Sequence, residues 1–160
     1  MSTKTQKMQR VIRHYREKTG VKEWDMHEVA KFAVGMGWQL PEPPKPIDIL
    51  AKQFSQAARE ETKHDKKTGR PYRVNHAFKV SRGGEQMTFW VDIDEATRKT
   101  MLKSAVNRRE QMVGDALQLT LDLDHWNRAN SKEEPIELPL DLGPDVNWRL
   151  NAPDENEKAG

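Results

Sequence analysis

Between Asp94 and Asn130 the chain contains no proline and a single glycine, Gly114. Proline is the strongest interruption of a helix, so this stretch reads as one helix of some 35 residues, about 50 Å long, with Asp94 as its N-cap. Its apolar residues fall in two stripes. Met101, Ala105, Met112, Ala116, Leu119, Leu123 and Trp126 mark one, and Leu102, Val106, Val113, Leu117 and Leu121 mark the other. Two apolar stripes need two partners. One packs on the body of its own chain and the other on a second copy, which gives a two-fold homodimer through residues 94–130. The alternative is a chain that turns back at Gly114 and buries both stripes internally.

Upstream, Met8, Val11, Ile12 and Tyr15 recur at helical spacing over about Thr5 to Lys18, with Gly20 as a stop. Asp25 and Glu28 have capping-box spacing ahead of Val29, Phe32, Ala33 and Met36, which predicts a second helix ending near Gly35–Gly37. Pro41, Pro43, Pro44 and Pro46 hold the next segment extended. Pro46 then opens a third helix, with Ile47, Leu50, Phe54, Ala57 and Ala58 on one side, running to about Thr62. A polar turn, Lys63 to Pro71, leads into a strand at Tyr72–Val80, and Ser81–Glu85 turns it back as Met87–Val91. Residues 131–160 are acidic and carry Pro135, Pro139, Pro144 and Pro153, the composition of a flexible tail. Ile136, Leu138, Leu140, Leu142, Val146, Trp148 and Leu150 give that tail anchors for a protein partner.

The net charge of +2 conceals an asymmetry. Residues 131–160 carry three basic and eight acidic side chains, a net of −5, which leaves +7 on residues 1–130. A basic body suits a polyanionic partner. The absence of cysteine removes disulfides, thiolate nucleophiles and cysteine-held zinc, and makes the cytoplasm the expected compartment. No apolar run is long enough for a signal peptide or a membrane span, so no membrane partner is expected.

Three helices, a glycine-turned hairpin and a further helix form an element order that resembles winged-helix DNA-binding domains, over about residues 5–93. The fold class expected is therefore α+β, mostly α: a winged-helix-like domain at 5–93, a long self-association helix at 94–130 and a flexible tail at 131–160. In that family the third helix enters the major groove and the wing lies against phosphates. The resemblance implies that Lys52, Gln53, Ser55, Gln56 and Arg59 face the DNA from the third helix, Gln suiting adenine and Arg guanine. Lys66, Lys67, Arg70, Arg73, Lys79 and Arg82 place six cations within seventeen residues on or beside the wing, where phosphate contact is their natural use. The nine-residue proline-rich connector between the second and third helices is longer than the usual helix-turn-helix turn.

Enzyme signatures are lacking. His14, His27, His64, His76 and His125 show no ligand spacing, so no metal is expected, and Gly35–Gly37 and Gly83–Gly84 lack the rest of a phosphate-cradling loop, so no nucleotide cofactor is expected. Asp92 with Asp94, and Asp122 with Asp124, read as caps and exposed helix positions rather than as catalytic pairs. The expected function is binding to double-stranded DNA as a homodimer, in transcriptional regulation, with no catalysis. The alternative is a non-catalytic adaptor subunit of a larger protein or nucleoprotein assembly, such as one from a phage or mobile element.

Overall fold

A computed structural model describes residues 1–152. Over these the chain is α+β and mostly helical, 54% helix, with five helices and two small two-stranded sheets. Its contacts divide it into two units, Met1–Gln53 and Phe54–Gly160.

The first unit is built on α1 (Lys4–Thr19) and α2 (Met26–Gly35). Thr3 and Gln6 form a reciprocal capping box at the start of α1, and Gly20, at φ 71°, closes its end in the left-handed conformation that glycine adopts most cheaply. Asp25 caps α2 as expected, its Oδ1 accepting the His27 amide at 2.9 Å, a bond that holds this carboxyl below its ordinary range. The helices meet where Tyr15 stands edge-on to Phe32, 5.5 Å between ring centres, and Val29 is buried. The third helix, α3 (Pro46–Glu60), begins at Pro46 and crosses from the first unit into the second. Ile47, Leu50 and Phe54 along it are exposed.

The second unit contains a short pair, β1 (Thr62–His64) with β2 (Pro71–Arg73); β1 falls where the third helix is expected to end and the polar turn to begin, and β2 where the polar turn meets the expected strand. A longer pair follows, β3 (Asn75–Arg82) with β4 (Glu85–Asp92), registered from Asn75 opposite Asp92 to Arg82 opposite Glu85. The expected single strand at Tyr72–Val80 is thus two strands. Val74 between them is buried; its amide donates to the Glu61 carbonyl at 3.1 Å and its carbonyl accepts from the Ile93 amide at 2.8 Å. One nearly continuous run, residues 71–82, therefore pairs first with β1 and then with β4. Gly83 and Gly84, at φ 58° and 82°, form the two-residue turn, whose twist matches that of the strands.

The long helix, α4 (Arg98–Ala129), is continuous through Gly114, so the chain does not fold back there. It starts three residues later than expected. Asp94 is not its cap: the Asp94 amide is bound to Asp92 Oδ1 at 2.9 Å in a local turn, and Thr97 caps the helix by accepting the Thr100 amide at 3.2 Å. Ser104, almost wholly buried, fixes α4 to the hairpin by donating its hydroxyl to the Ala77 carbonyl at 2.6 Å. Counting back from the two-residue turn, Ala77 falls at a position whose carbonyl points out of the ladder, so Ser104 satisfies an edge group.

Not all of the expected flexible tail is irregular. The Asn127 side chain bonds both backbone groups of Ile136, donating to its carbonyl at 3.0 Å and accepting from its amide at 2.9 Å, which straps Ile136 onto the end of α4. Beyond the strap lies α5 (Gly143–Asn151), with proline in its first turn. Residues 153–160, the end of the expected tail, lie outside the described residues.

Little of this is buried. Among the described residues, the buried apolar ones are Val29 and Val74. Large apolar side chains on α3, α4 and α5, Phe54, Leu117 and Trp148 among them, are open to solvent.

Candidate nucleic-acid interface

The β1–β2 turn is stiff. Its strands lie antiparallel, with Thr62 opposite Arg73 and His64 opposite Pro71, and the Asp65 amide donates to the Arg70 carbonyl at 2.8 Å while the Gly69 amide donates to the Asp65 carbonyl at 2.7 Å. Asp65 Oδ1 also accepts the amides of Lys67 and Thr68 at 2.8 and 3.1 Å. Those amides, Lys67 first, hold the Asp65 carboxyl below its ordinary range. Thr68 Oγ1 accepts the Arg70 amide at 3.2 Å. The one carboxylate in the turn is thus used to shape it.

Around this frame stand Lys63, Lys66, Lys67, Arg70 and Arg73, all exposed. Among the described residues none of them takes part in an ion pair; the pairs there are His27 with Asp25 and Lys31 with Glu28. Lys66, Lys67 and Arg70 border a shallow, open concavity of about 910 Å³ that also contains Lys63 and Tyr72. The Tyr72 hydroxyl donates to Asp94 Oδ2 at 3.4 Å, and desolvation, then the Asp94 charge, raises its pKa. A fixed turn with unpaired cations at its tip is suited to phosphates, because the backbone is ordered before the ligand arrives and each neutralised phosphate releases counterions.

The remaining candidates are placed elsewhere. Lys79 and Arg82 lie toward the far end of the 71–82 run, up to about 30 Å along the chain from Arg73 at the rise of a strand. The six cations that lie within seventeen residues of sequence therefore form a turn set and a hairpin set. Lys79 Nζ donates to Thr88 Oγ1 at 2.9 Å, and the Arg82 guanidinium stacks 4.9 Å from the centre of the Phe89 ring. On α3, Arg59 stacks over Trp90 at 5.3 Å, and Gln56 Nε2 donates to Glu60 Oε1 at 2.7 Å. Ser55 is half-buried, while Lys52 and Gln53 are exposed and belong to the first unit. Lys63, which sequence reasoning leaves out of the cation set, borders the same concavity. Its signal was a cation alternating with Thr62 and His64 beside the turn, too short a pattern to read as a strand.

Among the described residues no three His, Asp or Glu side chains are grouped to hold a metal ion, and no helix is long and apolar enough to cross a membrane. No family model, no curated protein and no solved structure matches the chain.

Proposed function

We propose that this chain is a non-catalytic DNA-binding protein that holds double-stranded DNA by its phosphates through the β1–β2 turn and acts as a homodimer. The observation that carries the reading is the set of exposed, unpaired cations Lys63, Lys66, Lys67, Arg70 and Arg73 around a hydrogen-bonded turn whose carboxylate is already engaged. Lys79 and Arg82 extend the basic surface along the hairpin. Base reading from α3 has less support, because Arg59 and Gln56, the side chains best suited to guanine and adenine, are engaged by Trp90 and Glu60. The reading is therefore backbone-held, general DNA binding, on which a winged-helix mode with Lys52, Gln53 and Ser55 at the groove would be an elaboration and transcriptional regulation one use. Titration of the protein into fluorescent random duplex across a salt series tests it: affinity falling steeply with salt is expected, and no binding at low salt refutes it.

A second reading, an adaptor in a larger assembly, is favoured by a separate observation. Trp148 on α5 is 72% exposed, and Leu142, Val146 and Leu150 beside it are also open to solvent. A tryptophan held out on a short helix is an economical anchor for a protein partner. Capture of a protein partner that is lost on Trp148→Ala, without duplex binding, would favour this reading over the first.

A further inference from the structure

Leu102, Val106, Val113, Leu117 and Leu121 are each between 46% and 59% exposed. They recur at helical spacing on the side of α4 turned away from Ser104 and the hairpin. Lys99 continues the row at one end and Asp124 at the other. We infer that this stripe is the surface on which a second copy of the chain docks, with its α4 antiparallel to the first. The inference deepens the homodimer part of the proposed function and is independent of whether DNA is bound.

The pattern is symmetric about its own centre. Reversed about a two-fold axis passing between Gln111 and Met112, Leu102 falls opposite the partner subunit's Leu121, Val106 opposite the partner subunit's Leu117, and Lys99 opposite the partner subunit's Asp124. The same operation exchanges all three pairs, so every contact occurs twice in the dimer. A parallel pair sets Lys99 against Lys99 and Asp124 against Asp124. Charge along the whole helix points the same way: residues 98–111 carry a net +4 and residues 112–129 a net −2 with histidine neutral, so antiparallel pairing lays basic half on acidic half. The centre is the thinnest part, because Arg109 and Glu110 stand where the next apolar residue of the row would fall.

The chain has no cysteine, so introduced thiols report the pairing directly. Leu102→Cys, Leu121→Cys and the double variant are oxidised in the absence of DNA. The double variant is expected to form a covalent dimer, and each single variant to remain uncrosslinked, because residue 102 lies about 28 Å along the axis from its own copy in the partner. A covalent dimer from either single variant, or none from the double, overturns the arrangement. Independently, Lys99→Asp is expected to weaken dimerisation about tenfold by light scattering in a dilution series, since it makes two exposed ion pairs per dimer repulsive. Adding Asp124→Lys restores it; an unaffected single variant or an unrestored double variant contradicts the pairing.

Discussion

Replacing Ser104 tests how α4 is held to the hairpin. Its hydroxyl is almost wholly buried and lies 2.6 Å from the Ala77 carbonyl, at the point where the helix crosses the edge of β3. Ser104→Ala deletes one neutral hydrogen bond and leaves a carbonyl short of its partner, a loss of about 1 kcal/mol and up to 3 if water cannot reach the carbonyl. Ser104→Leu loses the same bond and forces three more carbons into a site with no room, adding about 1–3 kcal/mol of overpacking. At about 4 °C per kcal/mol, the alanine variant should melt some 4 °C lower and the leucine variant some 8–16 °C lower. Both are followed by circular dichroism at one fixed protein concentration, because self-association makes the midpoint concentration-dependent. An alanine variant within 1 °C of the parent, or a leucine variant as stable as the alanine one, would refute this docking.

Two further outcomes follow from individual bonds. Asn127→Ala removes both bonds to the Ile136 backbone, so Ile136 should leave α4 and its amide should exchange with solvent at least tenfold faster, a loss of about 1.4 kcal/mol of local protection; unchanged exchange contradicts the strap. The Asp65 carboxyl is held below its ordinary range by the Lys67 and Thr68 amides, so its contribution to the turn is complete above the unfolded-state value and disappears as pH falls through the lower folded value. The amide resonances of Lys67 and Thr68 should therefore titrate with a midpoint below 3.8 and stay flat between pH 5 and 8 on the ordinary carboxylate scale. A midpoint at or above the ordinary value would contradict the turn geometry.

Most of the helical framework was legible because α1, α2, α3 and α4 carry apolar residues at the helical period and recognisable ends such as Asp25 and Gly20. The errors have physical causes. Thr62–His64 and Pro71–Arg73 are three-residue polar strands, too short to show alternation, and are paired because the 65–70 turn brings them together. Asp94 and Thr97 are both good caps by type; Asp92 decides between them by drawing the Asp94 amide into a local turn. The proline and acid content of residues 131–152 concealed α5, although proline in a helix's first turn is compatible with a short helix. At the site, the positions of Lys66, Lys67 and Arg70 in a turn were visible. The separation of Lys79 and Arg82 from them, and the stacking of Arg59 and Arg82 on rings, depend on strand length and on contacts distant in sequence.

The most direct test of the proposed phosphate-holding turn compares salt dependence rather than affinity alone. The parent chain and a Lys66→Ala, Lys67→Ala, Arg70→Ala variant are titrated into the same random duplex at several salt concentrations. Each phosphate contact contributes about 0.9 to the slope of log affinity against log salt, so losing three contacts should make the slope shallower by about 2.7. Equal slopes for the two proteins would contradict the account.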